Sequence, residues 1–323
     1  MTSAVTGGSG VVGSALVRHL VTAGDEVTAL AHSDRSVSIL EALGARPVRG
    51  DVLDRESVRR LVSGSDQVFH VAGVNEMCSP HPEVMDRVNI EGTRIVLEES
   101  IRAGAGRLIH TSSAAAIGEE PGTVGSESSP HRGSYQSRYE RSKHLAELML
   151  LEECGEFPVV LVNPASVQGP GRSTGTAKLF LDLLNGRLPF LVETSVAVVD
   201  IDDTARGHIL AAERGSGGER YVLCGANFRM SEALNMLARA GGREMHPRFL
   251  PGSLVEALAA VGEGAARLVG RRPKFCREMI RVLRAGHVYD GTKATRDLGL
   301  AYTPIEETIR RTIEWFEVSG LLN

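Results

Sequence analysis

TGGSGVVG (residues 6–13) lies near the start of the chain, between a short β-rich run and an apolar helical segment. It spaces Gly7, Gly10 and Gly13 three residues apart. Such a loop opens a helix whose N-terminal N–H groups and dipole can hold a pyrophosphate. Glycine lets the backbone approach the phosphates, and the last glycine lets helix and strand pack closely. The stretch therefore predicts a dinucleotide-binding site, with a plain strand-to-helix turn as the alternative.

The first half of the chain alternates between β-rich runs and segments of helical periodicity. The β-rich runs are 3–7, 26–31, 67–72, 107–112 and 158–163. Strict alternation predicts βαβ units and a parallel sheet covered on both faces. We predict an α/β protein with a Rossmann-type, doubly wound parallel sheet.

After about Pro164 the alternation ends in a Gly/Pro/Ser-rich loop, and the last hundred residues are mostly helical in pattern. We predict a dinucleotide-binding domain of residues 1–163, which also receives 196–225 and 288–300. A smaller, mostly helical substrate-binding region is predicted from residues 164–195, 226–287 and 301–323.

Composition narrows the function classes. The net charge of −4 gives no global attraction to nucleic acid or to an anionic membrane. No apolar run reaches membrane-spanning length, and MTSAV leaves no room for a signal peptide. The four cysteines, at positions 78, 154, 224 and 276, form no CxxC pair, so we predict no metal site and four free thiols in a reducing compartment. A cytoplasmic protein is expected.

The residues after the second β-rich run bear on the choice of dinucleotide. An acidic residue there suits the ribose of NAD, whereas a basic one suits the 2′-phosphate of NADP. His32, Ser33 and Arg35 favour NADP and Asp34 favours NAD, so NADP is predicted with NAD as the alternative. Arg35 could also be a solvated loop charge. Asp51 is expected to accept from the adenine amino group or to cap the helix that starts near residue 55.

SRYERSK (137–143) places Tyr139 and Lys143 one helical turn apart, on one face of a predicted helix. Taken alone, this spacing is more typical of ordinary helix surface than of a catalytic pair.

A series of further stretches occurs in a distinctive order along the chain. They are GDV, VFHVAG, VNIEGT, HTSSAAAIG, YERSK, NPASVQGPG and VVDIDDTARGH. With the glycine loop, they resemble the extended short-chain dehydrogenase/reductase family over essentially the full length. The resemblance is greatest to the branch of dihydroflavonol 4-reductases and 3β-hydroxysteroid dehydrogenases.

The resemblance implies a catalytic set of Ser113, Tyr139 and Lys143, with Ser112 as the less favoured register and Asn89 near the site. The full set of predicted cofactor contacts is Gly7, Ser9, Gly10, Val11, Gly13, His32, Ser33, Arg35, Asp51, Val52, Ala72, Gly73, Thr111, Tyr139, Lys143, Pro164 and Ser166.

The chemistry of ketone reduction accounts for these residue types. Hydride addition leaves negative charge on the carbonyl oxygen, which Ser113 would stabilise and Tyr139 would protonate. Lys143 is expected to lower the pKa of Tyr139 and to bind the nicotinamide ribose. Arg138, Glu140 and Arg141 are expected to be solvated.

Three functions are weighed. The first is an NADP-dependent ketone/alcohol oxidoreductase acting on a hydrophobic small molecule. The second is a nucleotide-sugar 4-epimerase or dehydratase with tightly bound NAD, and the third is a cofactor-binding regulatory protein, which an intact catalytic set disfavours. Sugar-nucleotide relatives commonly read RPxNVYGP where this chain reads NPASVQGP, with Asn163 and Ser166 at the Arg and Asn positions. This departure favours the first function.

Two apolar segments are ambiguous, and the oligomeric state is inferred from the resemblance alone. The side chains of Phe180, Leu181, Leu184, Phe190 and Leu191 could line a substrate cavity or pack in a core. Residues 253–270 could form a lid, a membrane-surface contact or an ordinary amphipathic helix, the last being favoured. A homodimer is implied, through the helices beginning near Met85 and Tyr135.

Overall fold

The computed structural model describes residues 1–79, 81–268, 273 and 276–322. Its strands are β1 (Thr2–Thr6), β2 (Glu26–Ala31), β3 (Arg46–Arg49), β4 (Gln67–His70), β5 (Leu108–Thr111), β6 (Val159–Pro164), β7 (Ser166–Gln168), β8 (Phe190–Leu191), β9 (Ser195–Asp200), β10 (Arg220–Leu223), β11 (Ala226–Arg229) and β12 (Arg248–Phe249). Seven of them form one parallel sheet in the order β3-β2-β1-β4-β5-β6-β10. The strand order reverses between β1 and β4, and ligands of such sheets bind at the carboxyl ends of the strands beside that point.

Helices cover both faces of this sheet. They are α1 (Val11–Thr22), α2 (Asp34–Ala42), α3 (Arg55–Val62), α4 (Pro82–Asp86), α5 (Thr93–Ala103), α6 (Arg138–Glu153), α7 (Thr176–Leu184), α8 (Ile201–Arg214), α9 (Met230–Gly241), α10 (Gly252–Leu268), α11 (Arg277–Ala285) and α12 (Ile305–Val318). Neighbouring residues of β1 point to opposite cores: Val5 packs with Leu16 and Ala205, whereas Ala4 packs with Leu61 and Leu150. The predicted doubly wound α/β fold is therefore confirmed.

The later part of the chain divides between the large sheet and a smaller region. β10 pairs with β6 and so extends the large sheet, and α8 packs on α1 as one of the helices that cover it. β9 instead pairs with β7 and β11 in a separate three-stranded sheet. Beside that sheet, α7, α9 and α12 share a core that includes Phe180, Leu234 and Ile313.

The two ambiguous apolar segments have different surroundings. Four of the five residues weighed as cavity lining are buried in the small-region core, whereas Phe190 is half exposed. In α10 the side chains of Leu254, Leu258 and Val261 are exposed, although this helix packs on α11. Residues 269 and 270 of that segment lie outside the described part of the chain. Among the described residues, no helix combines the length and apolar character needed to cross a bilayer.

The prediction of four free thiols was wrong for two of the cysteines. Cys78, in the loop after β4, and Cys276, at the N-cap of α11, form a disulfide with a Cα–Cα distance of 5.8 Å. Cys154 and Cys224 are free. The bonded pair is 198 residues apart in sequence, so only the folded chain brings the two thiols together. The cysteine argument for a reducing compartment therefore no longer holds.

Candidate active site

The loop between β1 and α1 is built for close backbone approach. Gly7 has φ +70°, and a Cβ there would lie 2.5 Å from the amide nitrogen of Ala72. A Cβ on Gly13 would overlap the carbonyl of Gly7, so the helix can pack against the strand only with glycine at position 13. Gly10 is exposed and is the N-cap of α1, with no side-chain cap and no acidic residue in the first turn. The free N–H groups of this turn fit a pyrophosphate.

Four further predicted cofactor contacts lie in the glycine loop, at the start of α1, after β3 and after β4. Ser9 is half-buried, as is Val11, the first residue of α1. The Ala72 N–H donates to Thr6 Oγ1 at 3.2 Å, which joins the ends of β4 and β1. Val52 is buried in the core on the α3 and α5 face of the sheet.

The segment after β2 carries the residues predicted to distinguish NADP from NAD. Ser33 caps α2 by accepting from the Ser36 N–H, and His32 Nδ1 lies 3.4 Å from Ser36 Oγ. Asp34, the residue that favours NAD, forms an ion pair with Arg49, and this pair lowers its pKa. Arg35 is exposed in the first turn of α2.

Asp51 does not cap α3. Its Oδ1 accepts from the Leu53 N–H at 2.8 Å, and the N-cap of α3 is Asp54. The capping alternative for Asp51 was therefore wrong, and its adenine contact stays a prediction.

Ser113 and Tyr139 meet at the carboxyl end of β5. Ser113 follows β5 and begins a 3₁₀ turn, its Oγ accepting from the Ala115 N–H at 3.3 Å. Its side chain acts on the pKa of Tyr139, which lies in the first turn of α6. Ser112 is buried, and its hydroxyl has no hydrogen-bond partner within the described residues. Ser113, not Ser112, is thus the serine beside the tyrosine.

The protein environment acts on the Tyr139 phenol in two directions. Burial raises its pKa above the ordinary value, while the Ser113 side chain and the positive charge of Arg172 oppose this rise. Lys143 was expected to lower this pKa, and that effect stays a prediction. Lys143 directs its ammonium group at a backbone carbonyl.

Lys143 is buried one turn after Tyr139 on α6, and its Nζ donates to the carbonyl oxygen of Thr111 at 2.8 Å. Burial lowers the pKa of Lys143 to about 8, opposed by the negative charge of Glu147. A Cβ on Gly73 would lie 3.0 Å from Lys143 Nζ, so glycine at position 73 leaves room for the ammonium group.

Asn89 lies in a π-helical turn, Arg87–Gly92, and is fully buried. Its Oδ1 accepts from the Val74 N–H at 2.7 Å, and its Nδ2 donates to Val74 O at 2.9 Å and to Ser142 Oγ at 2.8 Å. Asn89 thus fastens the loop after β4 to α6, and the π-helical turn that carries it is typical of functional sites.

Pro164 and Ser166 lie where β6 ends. Pro164 is buried at the end of the strand, and Ser166 Oγ donates to Thr176 Oγ1 at 2.9 Å. The hydroxyl of Ser166 therefore links β7 to the start of α7.

Sequence reasoning missed a buried network behind the predicted catalytic set. Asn163 Nδ2 donates to Ser113 O at 3.0 Å and to Glu147 Oε1 at 2.5 Å. Arg220 Nη2 lies 3.0 Å from Glu147 Oε2 as an ion pair, without the alignment of a hydrogen bond. The spacing of Lys143 and Glu147, four residues apart on one helix, was the available signal.

Three buried histidines stand beneath the site and are neutral. His70 bonds Thr6 and Thr93, and its pKa is lowered to about 3, chiefly by burial. His208 bonds Thr111 Oγ1, and burial lowers its pKa to about 4. Burial likewise holds the pKa of His110 well below its usual range. These rings pack as uncharged side chains and bring no competing charge to Lys143.

The remaining charges of SRYERSK are less solvated than expected. Glu140 is buried in an ion pair with Arg132, so the expectation of a solvated side chain was wrong for it. Arg138 and Arg141 both pair with Asp86 and stay exposed on their outer sides.

Comparisons with known proteins agree with this architecture. The model of the NAD dependent epimerase/dehydratase family matches residues 3–224. Sterol demethylase protein B of Methylococcus capsulatus is 31% identical over 333 aligned residues, covering 100% of each chain. The putative dihydroflavonol 4-reductase of a Synechocystis species is 32% identical over 98% of this chain and 94% of its own. The crystal structure of gox2253 superimposes with a TM-score of 0.86 at 32% identity, over 100% of this chain and 99% of that one.

The chain therefore belongs to the NAD dependent epimerase/dehydratase family. It is an NAD(P)-dependent enzyme of the extended short-chain dehydrogenase/reductase type, as the ordered motifs predicted.

Proposed function

We propose that this enzyme is an NADP(H)-dependent oxidoreductase that interconverts a ketone and a secondary alcohol on a hydrophobic small molecule. The observation that carries the proposal is the buried Lys143, which binds the end of β5 two residues before Ser113 and lies one turn after Tyr139, at the sheet edge that also holds the glycine loop. The names of the sterol and dihydroflavonol relatives support a hydrophobic substrate.

The bound cofactor supplies the hydride in reduction and accepts it in oxidation. In reduction, Tyr139 gives its phenolic proton to the carbonyl oxygen, which becomes the alcohol oxygen. Ser113 donates a hydrogen bond to the same oxygen and stabilises the negative charge that develops there. Because burial raises the pKa of Tyr139, the phenol stays protonated at neutral pH and is ready to act as the acid.

The chain's own groups can hold the cofactor along the sheet edge. The N-terminus of α1 would bind the pyrophosphate, and Lys143 the nicotinamide ribose. Arg35 would bind the 2′-phosphate of NADP, since the ion pair with Arg49 occupies the competing acid, Asp34.

The test compares Tyr139→Phe with Tyr135→Phe. Removing the Tyr139 hydroxyl should lower kcat by about 100- to 10,000-fold while leaving NADPH affinity nearly unchanged. Tyr135 packs on the rings of His131 and His144, outside the Ser113 pair, so its variant should keep turnover. If Tyr139→Phe reduces a panel of hydrophobic ketones as fast as the wild type does, the proposal is wrong.

The alternative, a nucleotide-sugar 4-epimerase or dehydratase, is favoured by the family to which the chain belongs. It predicts that the purified protein retains about one NAD per chain through gel filtration and converts a UDP- or dTDP-sugar without added cofactor. Recovery of the protein free of NAD, with ketone reduction that depends on added NADPH, separates the two functions.

A homodimer and a cytoplasmic location are part of the proposal. Val84, Ile101 and Leu148 expose apolar side chains on α4, α5 and α6, the helices expected at the dimer interface. Light scattering of the purified protein gives the oligomeric mass directly.

A further inference from the structure

Helix α10 carries an apolar stripe on its solvent side. The side chains of Leu254, Leu258 and Val261 are 48%, 59% and 73% exposed. They follow one another at intervals of four and three residues, so they share one face of the helix. A single exposed leucine is ordinary, whereas a row of large apolar side chains along one helix face indicates a surface that binds an apolar partner.

The acidic residues of α10 lie on the opposite side of the helix. Glu256 forms an ion pair with Arg284 of α11, and the Glu263 carboxylate accepts from the Arg277 N–H at 3.1 Å. Both acids stand about half a turn away from the apolar stripe. No other charged side chain is described on α10, so the described part of its solvent face is uncharged. An ordinary surface helix has the reverse arrangement, with apolar residues inside and charges outside.

Helix α11, which packs on α10, carries a positive stripe. Arg277, Arg281 and Arg284 are exposed and have the same spacing of four and three residues. Arg277 and Arg281 form no ion pair with any residue that the structure describes. In sequence, residues 267–284 contain seven lysines and arginines and one glutamate, although the whole chain has a net charge of −4. Positive charge is therefore concentrated on the segment next to the apolar stripe.

We propose that α10 and α11 together bind the surface of an anionic lipid bilayer. The apolar stripe matches the boundary between headgroups and acyl chains, and the arginines match the lipid phosphates. No described helix can cross a bilayer, so the contact is peripheral and reversible. A protein partner fits less well, because three partly exposed aliphatic side chains fall far short of the roughly 800 Å² per partner that a stable interface buries.

The bilayer contact lies on a segment that is joined to the proposed active site. Glu278 of α11 accepts from the Arg138 N–H at 2.7 Å, at the start of the helix that carries Tyr139. Membrane binding itself requires no turnover, so it can be tested independently of the proposed function.

The experiment measures co-sedimentation of the full chain with sucrose-loaded vesicles. Vesicles of phosphatidylcholine with about one-quarter phosphatidylglycerol are compared with vesicles of phosphatidylcholine alone. The wild type should bind the anionic vesicles about tenfold or more tightly at about 50 mM NaCl, and should lose most of this preference at about 500 mM, where salt screens the charges.

The apolar stripe is tested with the double variant Leu258→Ser, Val261→Ser. It should bind the anionic vesicles about tenfold more weakly than the wild type, because less apolar surface leaves water on binding. The matched control is Val124→Ser, Val318→Ser, which removes two valines that are 57% and 89% exposed elsewhere and should keep wild-type binding.

The positive stripe is tested with the double variant Arg277→Gln, Arg281→Gln. In low salt it should bind the anionic vesicles about 10- to 30-fold more weakly, at about fivefold for each arginine. The control Arg187→Gln, Arg310→Gln changes the net charge by the same amount at two other exposed arginines and should have a much smaller effect.

Three results would overturn the inference. They are wild-type protein that sediments equally with both kinds of vesicle or with neither, binding that survives both stripe variants, and self-association without lipid that Leu258→Ser, Val261→Ser abolishes in light scattering. The last result would show that a second copy of the chain covers the stripe. The wild-type comparison needs no variant, and an unchanged Tm shows that a variant with weaker binding is still folded. Ketone reduction has no part in these measurements, so their failure would leave the proposed oxidoreductase standing.

Discussion

Lys143 Nζ lies 2.8 Å from the carbonyl oxygen of Thr111, so the helix that carries Tyr139 is bonded directly to the end of β5. Ser113 follows two residues after Thr111, and its side chain acts on the pKa of Tyr139. The lysine thus has a positioning effect as well as a charge, because its hydrogen bond to Thr111 fixes the helix that carries Tyr139 against the strand that leads to Ser113. The negative charge of Glu147, one turn further along α6, supports the protonated form of this lysine.

The affinity for NADPH should depend on pH through Lys143. Its pKa in the ligand-free protein is lowered to about 8, so the ammonium that would bind the ribose hydroxyls is lost as pH rises through that value. Binding prefers the protonated form, and affinity should therefore be constant below about pH 7.5 and fall above pH 8. Fluorescence titration of NADPH between pH 6 and 10 measures this bend, and a flat profile across that range contradicts the assigned role.

Replacing Glu147 by Gln should move the fall in NADPH affinity to lower pH. The substitution keeps the size of the side chain but removes the negative charge that raises the pKa of Lys143. It also leaves Arg220 without its carboxylate, which should cost about 2–3 kcal/mol of unfolding free energy, less than for a fully buried pair. Glu152→Gln, at an exposed position on the same helix, is the control and should change neither quantity. If the pH dependence of NADPH affinity is the same in Glu147→Gln as in the wild type, Glu147 does not raise the pKa of Lys143.

Cofactor preference should depend on Arg35. Arg35→Ala should weaken NADPH about 10- to 100-fold, the effect of losing a charge-assisted contact, and leave NADH nearly unchanged. Arg46→Ala is the control, because Arg46 lies at the opposite end of the neighbouring strand and donates to Thr28. Equal effects of Arg35→Ala on both cofactors would show that the 2′-phosphate is bound elsewhere.

The sequence was informative wherever neighbouring residues determine the structure. The glycine spacing of 6–13 predicted the turn before α1, and the spacing of Tyr139 and Lys143 predicted one helix face, because both depend on local geometry. The alternation of strands and helices predicted the large sheet for the same reason.

The features that were missed depend on contacts between distant segments. Asn163 stands where sugar-nucleotide relatives have arginine, and only the pairing of β5 with β6 shows that it holds Ser113. Glu140 looked solvated because Arg132, its partner, lies in a loop without periodic pattern. Arg172 likewise lies in an irregular loop, so nothing in the sequence pattern predicted its effect on the pKa of Tyr139.

The disulfide between Cys78 and Cys276 should stabilise the α11 side of the site. Glu278, in the first turn of α11, accepts from the Arg138 N–H at 2.7 Å and from the Cys78 N–H at 3.4 Å. The covalent bond and this carboxylate therefore connect α11 both to the loop after β4 and to the start of α6. Closing a loop of 198 residues removes unfolded-state entropy worth up to about 5 kcal/mol in the loop-entropy model.

Cys78→Ser, or reduction of the wild type, should accordingly lower Tm and raise KM for the substrate, with a smaller effect on NADPH affinity. Cys154→Ser, which removes a free thiol at the end of α6, is the matched control and should leave all three unchanged. Thiol counting in denaturant gives the direct measurement: two reactive thiols are expected before reduction and four after it. Four reactive thiols in protein purified without reductant would mean that the bond does not form, and the Tm of Cys78→Ser should then equal that of the wild type.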